Sequence, residues 1–155
     1  FMLSGSMIHD ISSLRGMFGP PKEVVSAEIW RDGRCFTMVL SYEGDKRCVA
    51  TWTDLPDLWD FRETLEVFGD SQRVSIRFPT GFDRGTPSPV TVQGMEDGTI
   101  PWTKELIVNT QNSFKLELVH FHDCITNGTI PITDGAGAQQ DVKLVRDIVK
   151  AYLCV

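Results

Sequence analysis

The sequence predicts an α+β fold: an open, largely antiparallel (mixed) sheet of about six to seven strands with helices packed on one face. Two patterns predict it. Apolar residues recur at the spacing of an amphipathic helix near both ends of the chain, whereas residues 23–109 alternate apolar and polar residues between turns that contain glycine and aspartate. The chain has 155 residues, the length of one domain, and we expect a single domain over residues 1–155.

The first helix is predicted over residues 7–18. Its sequence, MIHDISSLRGMF, repeats apolar residues three or four positions apart. Gly19 suits a left-handed helix cap, and the two prolines that follow it cannot continue a helix. We therefore expect this helix to end at Phe18.

The region that follows predicts consecutive antiparallel strands. Turn chemistry at Asp32-Gly33 and at residues 43–45 divides residues 23–55 into a three-stranded meander. Another hairpin is expected around Gly69-Asp70.

The last strands are predicted after a loop. Residues 81–89 contain two glycines and two prolines, which is typical of a loop. Two further strands are expected around Asp97-Gly98. Pro101 cannot donate a backbone hydrogen bond, so its strand is irregular or lies at an edge of the sheet.

Two helices are predicted at the end of the chain. Ser113 is the expected N-cap of the first, and Asn127-Gly128 is its expected end. The second follows the loop at residues 129–137. The predicted apolar faces are Phe114, Leu118, Phe121 and Ile125 in the first helix, and Val142, Val145, Ile148, Val149 and Tyr152 in the second.

The strands hold more large apolar side chains than one core layer needs. An apolar sheet face that no helix covers tends to become an interface between subunits. We therefore expect a homodimer or a higher homo-oligomer formed through the sheet, the alternative being that all of these side chains lie inside a monomer core. They are Trp30, Phe36, Met38, Trp52, Phe61 and Trp102.

Composition excludes several classes of partner. The net charge of −6 argues against a nucleic-acid partner, because phosphates would be repelled. No apolar stretch approaches the roughly 18 residues of a membrane span, so no membrane partner is expected. The four cysteines form no CxxC pair and follow no secretory signal, which favours reduced thiols and a cytoplasmic location.

Motif searches leave few candidates for chemistry. The chain has no GxGxxG loop, no GxxxxGK[ST] loop and no HExxH helix. His120 and His122 point about 200° apart on a helix and cannot bind one metal together. His120 and Cys124 are four residues apart and share a face, but two ligands alone are a weak signal, and we predict no metal site.

His9 is the candidate catalytic residue. Histidine is the side chain whose ordinary acid–base range lies near neutral pH, so an imidazole on this helix can serve as an acid or a base. The alternative is an ordinary helix histidine with no role in chemistry. Asp10 beside it interacts favourably with a helix N-terminus.

Three segments, taken in order, resemble one protein family. Residues 8–24, IHDISSLRGMFGPPKEV, are similar to the helix that opens the C-terminal domain of the Gfo/Idh/MocA oxidoreductases. Residues 63–79, ETLEVFGDSQRVSIRFP, resemble a strand pair of that domain, and residues 114–152 resemble its closing helices. The resemblance spans nearly the whole chain and implies a dihydrodipicolinate-reductase-like domain.

The resemblance implies the second half of an NAD(P)-dependent enzyme. In that family a Rossmann domain carries the GxGxxG loop and a catalytic lysine, and both are missing here. NAD or NADP is then a cofactor of a full-length enzyme, and this chain alone is expected to bind none and to be inactive. The chain begins at Phe1 rather than at a methionine, which also leads us to expect a segment upstream.

The resemblance also assigns a role to His9. It falls where the family has a histidine that hydrogen-bonds the substrate hydroxyl. Many members carry an aspartate four residues earlier, where this chain has Gly5. The proton relay would then use His9 and the absent lysine alone, or the chemistry of this subgroup differs.

The implied substrate is a small polyol or a sugar-like molecule: a sugar, a cyclitol or a related alcohol. Such a site needs hydrogen-bonding side chains on the open sheet face and the adjoining loops. The candidates are Trp52, Asp54, Arg84 and His122.

Two other functions are weighed against this one. The first is a stand-alone module that binds a ligand or dimerises through its sheet without catalysis. The second is a hydrolase, for which the chain offers no nucleophile paired with a base.

Overall fold

The computed structural model describes residues 2–58, 60–83 and 85–154. The chain divides into two compact units: Phe1–Asp57 with Ile130–Val155, and Leu58–Thr129. Seven strands and four helices are described, together with a short 3-10 helix at Glu43–Asp45. In chain order they are α1 (Met2–Gly5), α2 (Ile8–Phe18), β1 (Glu23–Trp30), β2 (Cys35–Ser41), β3 (Arg47–Trp52), β4 (Glu63–Phe68), β5 (Gln72–Phe78), β6 (Pro89–Glu96), β7 (Ile100–Ile107), α3 (Ser113–Asn127) and α4 (Gly135–Leu153).

The first unit is a three-stranded antiparallel sheet in the order β1-β2-β3. Directly paired residues share a face, so the register defines a row of Ile29, Phe36 and Trp52. The adjoining rows are Ala27, Met38 and Ala50, and Val24, Leu40 and Cys48. These nine residues pack with side chains of α1, α2 and α4 in one core, where Phe36, Met38 and Leu40 are 1% exposed or less.

The second unit contains a four-stranded antiparallel sheet in the order β4-β5-β6-β7. Leu65, Ile76, Val90 and Leu106 form one row across all four strands. β7 is an edge strand and contains Pro101, as the sequence predicts.

The predicted fold class is confirmed, and the sheet differs from the prediction in one respect. The seven strands hydrogen-bond as two sheets rather than one. The chain leaves the first sheet after Trp52 and runs without strand structure, where described, until Glu63. Pro56 in this segment has no N–H to donate to a ladder, so a continuous sheet is not favoured here.

The hairpin turns lie where the sequence predicts them. Arg31, Asp32 and Gly33 all have positive φ between β1 and β2, and Asp97 and Gly98 do so between β6 and β7. Glycine and aspartate are the residues that tolerate this conformation best, which explains the accuracy of the turn prediction.

Three details of the closing helices differ from the sequence prediction. The predicted apolar face of α3 is 53–69% exposed at all four of its residues: Phe114, Leu118, Phe121 and Ile125. The N-cap of α3 is Asn112, whose side chain accepts a hydrogen bond from the Lys115 amide at 3.3 Å, and Ser113 is already helical. In α4, Val142 is 63% exposed, whereas Asp141 is buried. Asp141 thus takes the core position that the pattern assigns to Val142, whereas Ile148 is buried as predicted.

Some of the large apolar side chains that the sequence analysis assigned to the strands lie in the core of the first unit. Phe36 and Met38 are buried, and Trp52 packs against them. Trp30 and Phe61 stay 40% and 45% exposed.

Candidate functional site

His9 lies on the exposed side of α2. Ile11 and Leu14 of the same helix are buried in the first unit, and a position two residues before Ile11 points about 200° away from it. Among the residues that the structure describes, no side chain hydrogen-bonds the imidazole. The ring is therefore open to a substrate, on a helix that the core holds.

Backbone hydrogen bonds connect the start of α2 to the residues that precede it. The Ser6 amide donates to the Met2 carbonyl at 2.9 Å, and the His9 amide donates to the Ser6 carbonyl at 3.4 Å. The Ser6 carbonyl, between α1 and α2, thus pairs with an amide that an isolated helix would leave unpaired at its N-terminus. His9 is the second residue of α2 and so lies near the start of that helix, as the sequence predicts.

Three ionisable side chains interact electrostatically between α2 and the first sheet: Asp10 with Cys48, and Cys48 with Tyr42. Burial raises the pKa of the Cys48 thiol, and the carboxylate of Asp10 raises it further. Burial also raises the pKa of Tyr42 to about 12. Burial thus favours the protonated, neutral form of both side chains.

A buried ion pair fixes α2 against α4. The Arg15 guanidinium donates from Nε to Asp141 Oδ1 at 2.7 Å and from Nη2 to Asp141 Oδ2 at 3.1 Å. This hydrogen bonding raises the pKa of Arg15 above its ordinary value. The guanidinium lies over Gly137, where a Cβ atom would be 2.7 Å from Nη2. The sequence prediction missed this pair. Its one signal in the sequence is that Asp141 shares a helix face with Leu144 and Ile148, at spacings of three and four residues.

Trp52 and Asp54 occupy the end of β3. Trp52 faces the helices rather than an open sheet face, and its buried Nε1 has no hydrogen-bond partner among the described residues. The Asp54 carboxylate is 3.5 Å from Arg34 Nη1, and its carbonyl accepts from Arg31 Nη1 at 3.2 Å. Asp54 is thus held by the β1–β2 turn.

The remaining candidates do not gather around His9 within the first unit. His122 lies on α3 in the second unit, with its side chain 77% exposed and Nδ1 3.5 Å from Asp123. Arg84 lies outside the described residues. Within the part of the chain that the structure describes, no hydrogen bond or ion pair joins His9 to Trp52 or Asp54.

The His120 and Cys124 pair lies on one helix face, with Nε2 and Sγ 3.6 Å apart. Within residues 2–58, 60–83 and 85–154, no three His, Cys, Asp or Glu side chains come together as a possible metal site. The described part of the chain also contains no helix long and apolar enough to span a bilayer.

The sheets offer no place for a dinucleotide of the Rossmann kind. That site needs parallel strands with a glycine-rich turn before a helix. Every strand pair in the described residues is antiparallel.

No protein-family model and no curated protein matches the chain. Solved structures do match it. A proposed NADPH-dependent oxidoreductase from Desulfitobacterium hafniense superposes with a TM-score of 0.78 at 14% identity, over 96% of this chain and 45% of that one. A 3-ketoreductase from Actinomadura kijaniata, crystallised with TDP-benzene and NADP, gives 0.75 at 13% identity, over 96% and 46%.

A UDP-N-acetylglucosamine 3-dehydrogenase from Acidithiobacillus ferrooxidans is also similar, with a TM-score of 0.71 at 12% identity over 96% of this chain and 45% of that one. The chain thus spans about half the length of these structures. The fold expected from the resemblance to the Gfo/Idh/MocA oxidoreductases is confirmed: the chain has the fold of one half of such an enzyme.

Proposed function

We propose that this chain is the substrate-binding and oligomerisation domain of an NAD(P)-dependent oxidoreductase. The enzyme would transfer hydride between the nicotinamide and the hydroxyl-bearing carbon of a sugar, a cyclitol or a related alcohol. The observation that carries this proposal is the fold, which covers 96% of this chain and only 45–46% of oxidoreductases such as the NADP-bound 3-ketoreductase.

His9 is the proposed acid or base. When an alcohol is oxidised, the carbon loses a hydride and the oxygen loses a proton, and an imidazole nitrogen of His9 takes that proton. In the reverse direction the same nitrogen returns it. The nicotinamide supplies the hydride chemistry when it is bound by another domain.

The surroundings of His9 support this role. Its ring is exposed, while α2 is held from below by Ile11 and Leu14 and by the Arg15 and Asp141 pair. A general base must reach the proton it abstracts at a fixed distance, so a free ring on a rigid helix is a suitable arrangement. Gly5 supplies no carboxylate one turn earlier, and His9 would work without the aspartate that many relatives have.

Substrate recognition is proposed for the three polar candidates. His122 is exposed and able to donate to a hydroxyl, whereas Asp54 would have to share its carboxylate with Arg34. Trp52 packs against the core of the first unit, so no contact with the substrate is proposed for it. Arg84 keeps its predicted role as a donor to the substrate.

The uncovered face of the first sheet supports oligomerisation. Trp30 on this face is 40% exposed, and Val49 is 69% exposed. Between them Thr37 and Thr51 pair across the strands, with their hydroxyl oxygens 3.2 Å apart. The same face favours the alternative function, a stand-alone module that associates through its sheet without catalysis.

The test is to read the coding sequence upstream of Phe1 and to assay the protein as it is encoded. We expect a domain with a strand, a GxGxxG loop and a lysine, and oxidation of NADH or NADPH with keto sugars. The 155-residue chain alone is the matched control and should show no turnover. A natural protein that starts near Phe1, with no dinucleotide domain, would leave the stand-alone module as the better function.

A further inference from the structure

Tyr42 has a buried hydroxyl that the protein does not satisfy. The residue follows β2 and is 3% exposed, and its ring meets that of Phe18 edge to face at 5.9 Å. Its Oη atom is buried and has no hydrogen-bond partner among the described residues. Buried hydroxyls in folded proteins nearly always have a partner, either a protein group or an ordered water.

A small cavity lies beside this tyrosine, between α2 and α4. Its volume is about 20 Å³, and Tyr42 lines it. A site must offer roughly 10–15 Å³ of such space, and two to four polar partners, to hold one water molecule. Arg15, Gln140 and Asp141 supply polar groups around the same space, and Ile11 and Leu144 close it with apolar surface.

The charges around the cavity favour a neutral occupant. Arg15 and Asp141 already neutralise each other through two hydrogen bonds. The Asp141 oxygens keep lone pairs that accept further hydrogen bonds, which an O–H donor satisfies. An added ion would face this neutral pair without a counter-charge of its own.

A wider groove lies next to the cavity. It has a volume of about 440 Å³ and opens along α4 and the start of β1. Pro20, Pro21, Gln140 and Leu144 line both the groove and the cavity.

We propose that one ordered water molecule occupies this cavity, accepts a hydrogen bond from the Tyr42 hydroxyl and joins it to the Arg15 and Asp141 pair. The water completes the polar contacts between α2 and α4. It is independent of any catalytic role of His9.

A crystal structure at about 1.8 Å or better tests the proposal, together with water-to-protein NMR cross-relaxation, on the protein and on Tyr42→Phe. We expect a density peak within hydrogen-bond distance of Tyr42 Oη and cross-peaks between water and its ring protons. Both should be lost in Tyr42→Phe and kept in Tyr152→Phe, the matched control at the half-exposed second tyrosine.

Three results would overturn the proposal. The first is an empty cavity in the crystal structure of the unchanged protein. The second is a Tyr42 hydroxyl that bonds directly to a protein atom. The third is a water that remains in Tyr42→Phe, because it would then be held without the tyrosine.

Discussion

Arg15 and Asp141, 126 positions apart in the chain, meet in a two-pronged ion pair that ties α2 to α4. The Asp141 side chain is 6% exposed and that of Arg15 is 19% exposed. The pair thus lies at the border of the core. Its arginine belongs to α2, the helix that also carries His9.

Asp141→Ala should lower the free energy of unfolding by about 2–3 kcal/mol, because it leaves the Arg15 charge half-buried and unpaired. The measurement is chemical denaturation followed by circular dichroism. Asp147→Ala is the matched control, since Asp147 lies on the outer side of the same helix in an exposed pair with Lys143 at 2.8 Å. The control should change stability little. Equal effects of the two substitutions would contradict the buried role of Asp141.

Gly94 should not tolerate alanine. It pairs directly with Trp102 across β6 and β7, and a Cβ atom at Gly94 would lie 2.6 Å from Trp102 Cζ2. Gly94→Ala should therefore cost about 1–3 kcal/mol by forcing the indole away. Thermal unfolding and tryptophan fluorescence measure the loss and the ring displacement.

Gly16→Ala is the control for that substitution. Gly16 is inside α2, and an added Cβ meets nothing within 4 Å. Alanine should stabilise the protein there by about 0.5–1 kcal/mol, since it favours the helix. A neutral Gly94→Ala would show that the indole does not rest on the glycine.

Tyr42 should make stability fall at alkaline pH. Its pKa is raised from 10.0 to about 12 by burial, so the folded state keeps its proton at pH values where the unfolded state has lost it. The stabilisation is complete below pH 10 and disappears as pH rises toward 12, by up to about 2 kcal/mol.

The measurement is denaturant unfolding at pH 9 and at pH 11.5 in the protein, Tyr42→Phe and Tyr152→Phe. The free energy of unfolding lost between pH 9 and pH 11.5 should be smaller in Tyr42→Phe than in the other two proteins. All other groups that titrate at alkaline pH are shared, so they contribute equally. Absorbance at the phenolate band should show a titration near pH 12 that Tyr42→Phe lacks. The same pH dependence in all three proteins would contradict the assignment.

His9→Ala should lower kcat of the full-length enzyme by about two to four orders of magnitude, the range of a general acid or base. Met17→Ala, an exposed position two turns later on α2, is the control and should keep full turnover. Steady-state oxidation of the reduced cofactor measures both. Unchanged kcat in His9→Ala would return His9 to the alternative weighed from sequence, an ordinary helix histidine.

Val49→Asp should break the proposed oligomer. A charge at this position on β3, an edge strand of the uncovered sheet face, resists burial against a second copy. Light scattering after size exclusion should show a mass about half that of the unchanged dimer. Val142→Asp, at an exposed valine on α4, is the control and should keep the oligomer. A monomer at micromolar concentration before any substitution would rule out the interface.

The local structure followed from the sequence to within a residue or two. Helix α2 ends at Phe18 before Gly19, the hairpins turn at Asp32-Gly33 and Asp97-Gly98, and Pro101 lies in an edge strand. Each of these depends on neighbouring residues: on apolar periodicity, on the positive φ that glycine and aspartate accept, or on the missing N–H of proline.

The candidate site was predictable only in part. The exposed position of His9 agrees with its polar place in the pattern of α2. The direction of Trp52 was not predictable, because alternation along a strand defines two faces without saying which one the helices cover. The sequence also does not reveal that Arg31 and Arg34, in the turn between β1 and β2, contact Asp54.

The sequence by itself therefore determined the elements, their antiparallel order and the resemblance that led to an oxidoreductase fold. Only the tertiary structure decided the division into two sheets, the burial of Asp141 with Arg15 and the unpaired hydroxyl of Tyr42. The physical reason is range: helices, strands and turns are set by residues a few positions apart. Ion pairs, cavities and covered faces depend on side chains that the chain brings together from distant positions.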